Sequence, residues 1–216
     1  LFTRICFGIR YSLLIGILAA AMDFIIGVSY GGIAGMASSK VDTVMMRIAE
    51  IAYAIPYMLI VILISVTLGK EQGVSLITLV LAMSITGWVP MAIMVRGQVL
   101  QLKENEYCLA SRSLGASKNH ILIKHIIPNT LGPILVNITL SVPRAIFAEA
   151  TLSFMGLGLQ PPQPSLGVLA TDGLEVMGVG LFYQMLLPAL FISLIMFSFN
   201  VFGDGLQDAL DPRLRK

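Results

Sequence analysis

Long apolar runs, each bounded by a charge, set the pattern of this chain. Four stretches carry no Asp, Glu, Lys or Arg: Ile51–Gly69, Gln72–Val95, His125–Pro143 and Val176–Gly203. A fifth, Tyr11–Ser39, is interrupted only by Asp23. A helix needs about 20 mainly apolar residues to cross a bilayer. The pattern therefore predicts five transmembrane helices, over residues 12–36, 46–68, 75–97, 129–150 and 181–203. The runs do not alternate in dyads, which excludes a membrane β-barrel. Residues 151–180 are not a span, because Gly156, Gly158, Pro161, Pro162 and Pro164 preclude one continuous helix. The stretch is too apolar for an ordinary loop. It is expected outside the membrane, packed against the outer mouth of the bundle, since irregular backbone at that depth survives only when buried or lining a cavity.

Composition gives the same answer. Apolar residues make up 56% and charged residues 12% of the 216, against about 25% charged in soluble domains. Mean hydropathy is +0.87. A water-soluble globule needs more charge, and a disordered chain far less hydrophobicity. Two cysteines, Cys6 and Cys108, rule out a disulfide scaffold, and a net charge of +2 argues against nucleic acid as a partner. The fold class is an all-α polytopic membrane protein in contact with lipid.

Lys and Arg orient it. Arg96, Lys103, Arg112, Lys118 and Lys124 lie between the third and fourth spans, Arg213, Arg215 and Lys216 at the C-terminus, and Lys40 and Arg47 at the first turn. With these regions cytoplasmic, ten of the fourteen basic residues lie inside. Arg4, Arg10 and Lys70 then lie outside, and Arg144 falls within the fourth span. Cys6 and Cys108 fall on opposite sides of the membrane and are not expected to pair. The N-terminus comes out external and the C-terminus cytoplasmic, and the first residue is Leu1. Truncation with at least one upstream span missing is the expectation. A natural five-span protein is the alternative.

Within the spans, Gly27, Gly31 and Gly35 form a doubled small-xxx-small stripe, suited to close helix packing inside one bundle or to a homodimer contact. Pro56, Pro90, Pro143 and Pro188 predict kinks. Asp23 lies near the middle of the first span, Arg144 in the outer half of the fourth and Glu149 near its outer end. Charges at such depth face the bundle interior. They read either as a polar patch along a translocation path or as an intramembrane ion pair, Asp23 with Arg144.

The segment 104–128 is cytoplasmic and reads helix–Gly–helix. Tyr107, Ala110 and Leu114 share a helical face. Gly115 suits a left-handed stop, Ser117 can cap a second helix beginning near Lys118, and Pro128 fits the first turn of the following membrane helix. Ala110, Ser111 and Gly115 leave a shallow dent that a partner could fill. This stretch resembles the coupling motif of permease subunits of ATP-binding cassette importers: Glu-Ala-Ala, three residues, Gly, about a dozen more, then Pro. The motif lands on Leu109, Ala110, Ser111, Gly115 and Pro128. Leu109 replaces the usual Glu and Ser111 the second Ala. Glu106, three residues earlier, is the candidate substitute for the missing Glu.

Three blocks narrow the resemblance to the dipeptide/oligopeptide/nickel permease family. They are Glu106-Tyr107 with Leu114–Ser117 and His125–Asn129, then Glu149–Pro162, then Gly203–Arg215. Gln207 stands where this branch carries a basic residue, and Leu166 where it often carries Trp. The resemblance covers essentially the whole chain and implies a type I ABC importer permease fold in a bacterial plasma (inner) membrane. It also implies six spans in the full chain. This chain looks like the second permease of a pair, working with a homologous permease, two cytoplasmic ATPase subunits and an extracytoplasmic solute-binding protein. Glu106, Tyr107, Ala110, Ser111, Leu114 and Gly115 are the implied ATPase contact. No P-loop pattern occurs, so ATP and Mg belong to the ATPase subunits and no catalytic residue is expected here. His and Cys show no metal-site spacing. The implied function is ATP-driven import of di- or oligopeptides. The alternatives are nickel import by the same family and an ion-gradient-driven secondary transporter, for which no internal repeat is visible.

Overall fold

The computed structural model describes residues 1–68, 74–160 and 163–210, and these are helical throughout their regular elements. Lys70, Pro161, Pro162, Arg213, Arg215 and Lys216, which entered the topology and loop readings, lie outside the described residues.

Helix α1 (Phe2–Met36) is the central element. Its 35 residues extend about 50 Å at 1.5 Å per residue. It packs on α4 (Leu76–Ser84), α5 (Val89–Leu102), α9 (Leu131–Phe154) and α10 (Leu166–Glu175). A lipid solvent offers no hydrophobic drive between helices, so close dispersion contact must hold them. Glycines on α1 supply that contact. A Cβ on Gly8 would meet Leu166 and Leu169 of α10, and one on Gly16 would meet Val142 and Ile146 of α9. The stripe Gly27, Gly31, Gly35 lies against α5 of the same chain, at Met91, Ala92 and Val99 respectively. That face of α1 is filled within the protomer and is not free for a second copy.

Within residues 46–68 and 75–97, where Pro56 and Pro90 predict kinks, the structure has bent helix pairs. The first is two helices, α2 (Ser39–Ala54) and α3 (Tyr57–Leu68), meeting at 77°. Pro56 lacks an N–H and pushes the preceding residue out of the helical region. Ile55 is accordingly extended, at φ −77° and ψ 130°. The second is α4 and α5, meeting at 44°. Pro90 sits in the first turn of α5, where its missing donor leaves no bond unmade. By length and apolarity three single helices can cross a membrane, and five spans result if each bent pair counts as one.

Charged and polar residues connect the elements below. Helix α6 (Glu106–Ser113) and α7 (Lys118–Ile121) are followed by a π-helical turn, Leu122–Ile126, and the short α8 (Ile127–Asn129). Helix α9 carries Pro143 inside it and ends at Phe154. Gly156, at φ 77°, then reverses the chain, with Gly156 N–H donating to Ser153 and Leu157 N–H to Leu152. This is a Schellman cap. The stretch 151–180 holds a helix that hydropathy did not predict, α10, capped by the Ser165 hydroxyl accepting from Val168 N–H. Helix α11 (Tyr183–Leu210), with Pro188 inside, covers α9 and α10. Its other face exposes Leu186, Leu190, Leu194, Phe197 and Phe202, as a lipid-facing helix does.

The α1–α5 contact yields a direct test. A Cβ at Gly31 would collide with the backbone carbonyl of Ala92, which cannot swing aside. Gly31→Ala should destabilise the purified protein by about 1–3 kcal/mol, seen as a lower thermal unfolding midpoint in detergent. Gly97→Ala, on α5 with open space around the added methyl, should leave that midpoint unchanged or raise it.

Candidate functional site

Two regions collect the chemistry. The first is the segment following α5. Helix α6 begins at Glu106, where a carboxylate suits the positive helix end. It ends in the same cap as α9. Gly115 stands at φ 85°, its N–H donates to Arg112 at 3.0 Å, and Ala116 N–H donates to Ser111 at 3.0 Å. Ser117 then caps α7, its hydroxyl accepting from His120 N–H at 3.3 Å. One side chain anchors α6 to the bundle: Cys108, 2% exposed, whose thiol burial pushes up in pKa. Cys6 is exposed, and neither cysteine is bonded to the other. Around the anchor, Glu106, Tyr107, Leu109, Ala110 and Gly115 are exposed, and Leu114 is 89% exposed. Ser111 is half-buried because its hydroxyl lies 3.1 Å from His125 Nε2 on the π-helical turn. The segment therefore offers an apolar, small-residue surface to the outside while α7 and the π turn brace it from behind.

Polar ties join this surface to the spans. Arg96 on α5 grips Asp42 on α2 with two bonds of 2.6 Å. Lys103, just past α5, donates to the Gly35 carbonyl at 3.2 Å, satisfying an acceptor at the C-terminal end of α1. At the opposite end of α1, Arg4 pairs with Asp172 of α10 at 2.5 Å.

The second region is a cavity of about 530 Å³ between α1, the α2–α3 bend, the α4–α5 break and α9. Asp23 and Arg144 both line it. They do not form a contact ion pair: the ion pairs among the described residues are Arg4–Asp172, Arg47–Glu50 and Arg96–Asp42. Asp23 Oδ1 is buried without a hydrogen-bond partner. It rests beside Gly87, where a Cβ would stand 2.6 Å away.

Glu149 stands apart from this cavity. It is 0% exposed and does not line the cavity. Its Oε1 accepts from Ser153 at 2.7 Å and from Ser165 at 2.5 Å. Ser165 caps α10, and Ser12 of α1 accepts from the next N–H, that of Leu166. The carboxyl thus pins α10 to α9 and α1. It faces away from Arg144 because five positions at 3.6 residues per turn put the two about 140° apart around the helix.

Several residues of the site escaped the sequence reading. Asn137 and Ser141 line the cavity with Arg144, at i, i+4 and i+7 along α9. This polar periodicity within an apolar span was a legible signal. Tyr53, Tyr57 and Thr86 reach the cavity through bends that periodicity does not show.

The fold is a bundle of bent apolar helices with an exposed helix–Gly–helix at one end. Residues 27–216 match the family of binding-protein-dependent transport system inner membrane components, and the chain belongs to that family. It is 53% identical over its full length to a dipeptide transport system permease of Bacillus subtilis, covering 66% of that protein. It is 51% identical to an oligopeptide transport system permease of the same organism, covering 69%. It is 41% identical to an oligopeptide transport system permease of Escherichia coli, covering 70%. The chain thus spans about two thirds of the length of these curated relatives. An inward-facing structure of the MetNI methionine ABC transporter superposes with a TM-score of 0.69 at 19% identity, covering 92% of this chain and 94% of that one. The likeness establishes an ABC importer permease fold.

The buried carboxyl supports a second test. Glu149→Gln keeps an oxygen that can accept from both serines and should leave stability nearly unchanged. Glu149→Leu strands two buried hydroxyls and should cost about 1–3 kcal/mol, read as a thermal midpoint in detergent.

Proposed function

We propose that this chain forms one half of the membrane path of an ATP-driven importer of di- or oligopeptides. The observation that carries the reading is the exposed segment Glu106–Gly115, anchored by Cys108 and ended by a positive-φ glycine. The names of the relatives at 51% and 53% identity supply the substrate class. In this reading Glu106, Tyr107, Ala110, Ser111, Leu114 and Gly115 seat α6 in a groove of a cytoplasmic ATPase subunit. Glu106 lies one turn before Leu109 and offers the carboxylate that Leu109 lacks. ATP and Mg stay with the ATPase pair. A homologous permease supplies the other half of the path, and an extracytoplasmic binding protein delivers the peptide. The protein sits in a bacterial plasma membrane with its C-terminus cytoplasmic.

Coupling is a matter of differential contacts. Closure of the ATPase pair favours one arrangement of the coupling helices over another, and the spans follow that two-state equilibrium. The route runs from α6 through its buried Cys108, clustered with Val95 and Val99 of α5, to α1, whose glycines leave no slack against α5. Nickel import is the weaker reading, since Arg144 in the cavity opposes a bare cation. A secondary transporter leaves the exposed α6 surface without a role.

The test uses the assembled transporter in proteoliposomes. Space around Gly115 is open within this chain, so a side chain there meets only a partner or its own backbone. Leu at φ 85° costs about 1–2 kcal/mol. Gly115→Leu should lower ATP-dependent peptide uptake at least about tenfold, roughly 1.4 kcal/mol of coupling, in transporter that is still assembled and whose thermal midpoint falls by no more than that strain accounts for. Gly115→Asn, which tolerates positive φ, should recover part of the uptake. Normal uptake by Gly115→Leu would refute the docking geometry, and uptake without the ATPase subunits would refute the importer reading.

A further inference from the structure

The cavity between α1 and α9 holds one acid and one base, and neither is satisfied inside the protein. Every other ion pair among the described residues is closed at 2.5–2.7 Å. Arg144 makes no hydrogen bond and no ion pair with any described residue, and its side chain is exposed. Asp23 Oδ1 is buried and unpartnered, and so is Thr86 Oγ1. Both of these residues line the same cavity. Buried polar atoms are ordinarily paired, so an unpaired set on one wall calls for a missing partner. Unpaired charges inside a membrane are costly and mark substrate pathways.

We propose that Asp23 and Arg144 form a two-ended subsite for a zwitterionic peptide, Asp23 receiving the N-terminal ammonium and Arg144 the C-terminal carboxylate. The proposal rests on the peptide-importer reading and assigns the residues that meet the cargo. A volume of about 530 Å³ falls in the range of about 300–1,000 Å³ usual for small-ligand sites. A dipeptide spans about 7 Å, so both ends fit in such a space. Thr86, Asn137 and Ser141 offer hydrogen bonds to the peptide unit between the charges. Tyr53 and Tyr57 provide aromatic walls that accept side chains without selecting one. A free cation would meet Arg144 and a free anion would meet Asp23, so the pair favours a molecule bearing both charges.

The same wall continues onward. A second cavity of about 410 Å³ lies between α9 and α11, lined by Gly132, Pro133, Asn137 and Gln207 among others. Asn137 belongs to both cavities. The α9 face Arg144, Ser141, Asn137 therefore runs from the charged subsite toward the end of the bundle that carries the coupling segment.

The experiment reconstitutes the complete transporter, with binding protein at a concentration that loads each probe. The probes are alanyl-alanine, its N-acetyl derivative and its C-terminal amide. Uptake ratios of free to blocked peptide are compared between the parent and Asp23→Asn or Arg144→Gln. The binding protein's own preference is identical in each comparison and cancels. Asp23→Asn should shrink the free-to-acetyl ratio at least about fivefold, roughly 1 kcal/mol of lost discrimination, while leaving the free-to-amide ratio in place. Arg144→Gln should do the converse. Ratios unchanged in both variants would overturn the subsite, as would both ratios shifting together in each variant, the mark of a structural role. Should Asp23→Asn not assemble, the exposed Arg144→Gln with the amide probe decides alone. Absence of all peptide uptake by the parent transporter would refute the peptide reading itself, and the subsite with it.

Discussion

The close approach of α1 to α5 sets the arrangement of everything else. At Gly27, Gly31 and Gly35 the two backbones stand so near that a single added carbon would overlap Met91, Ala92 or Val99. In lipid this intimacy replaces the hydrophobic effect as the source of helix association. It aligns α5 so that Arg96 reaches Asp42 and Lys103 reaches the last carbonyls of α1. It also holds Asp23, one turn ahead of Gly27, beside the α4–α5 break at Gly87. The α1–α5 contact thus holds the two helices as one unit, because packed interfaces do not deform continuously.

The breaks matter as much as the contacts. Pro56 and the α4–α5 junction turn what would be continuous rods into bent pairs, and the cavity lies where the bends open. Free backbone groups at such depth are tolerated where they line a cavity. Two glycines of positive φ, Gly115 and Gly156, end their helices by the same hydrogen-bond pattern at opposite ends of the fold. The first ends α6 on the exposed surface. The second turns the chain into α10, whose start is held by Glu149 and Ser165. The π turn at Leu122–Ile126 adds a local mismatch between α7 and α9, of the kind that recurs at functional sites.

How much of this could be read in advance depended on range. The Gly115 stop, the Ser117 cap and the position of Pro128 were all legible, because capping involves residues within a turn of one another. Pro56 and Pro90 marked where the chain bends, but not how far. Hydropathy sums over a window and is blind to direction inside it, so the angles of 77° and 44° were not legible. Helix α10 was missed because a short helix among Gly and Pro has no apolar run long enough to register. Glu149 was read near the outer end of the fourth span, but its place between α9 and α10 depends on which side of α9 meets α10.

The sequence by itself determined the solvent, the number of apolar runs, the coupling grammar and the family, since each is written in composition or in neighbours along the chain. Only the tertiary structure decided that the glycine stripe is consumed within one protomer, that Asp23 and Arg144 share a cavity without touching, and that Glu149 belongs to the scaffold. The reason is physical. A helix presents every side chain to some neighbour, but which neighbour depends on rotation about its axis and on bends elsewhere, and those are set by contacts between residues far apart in the chain.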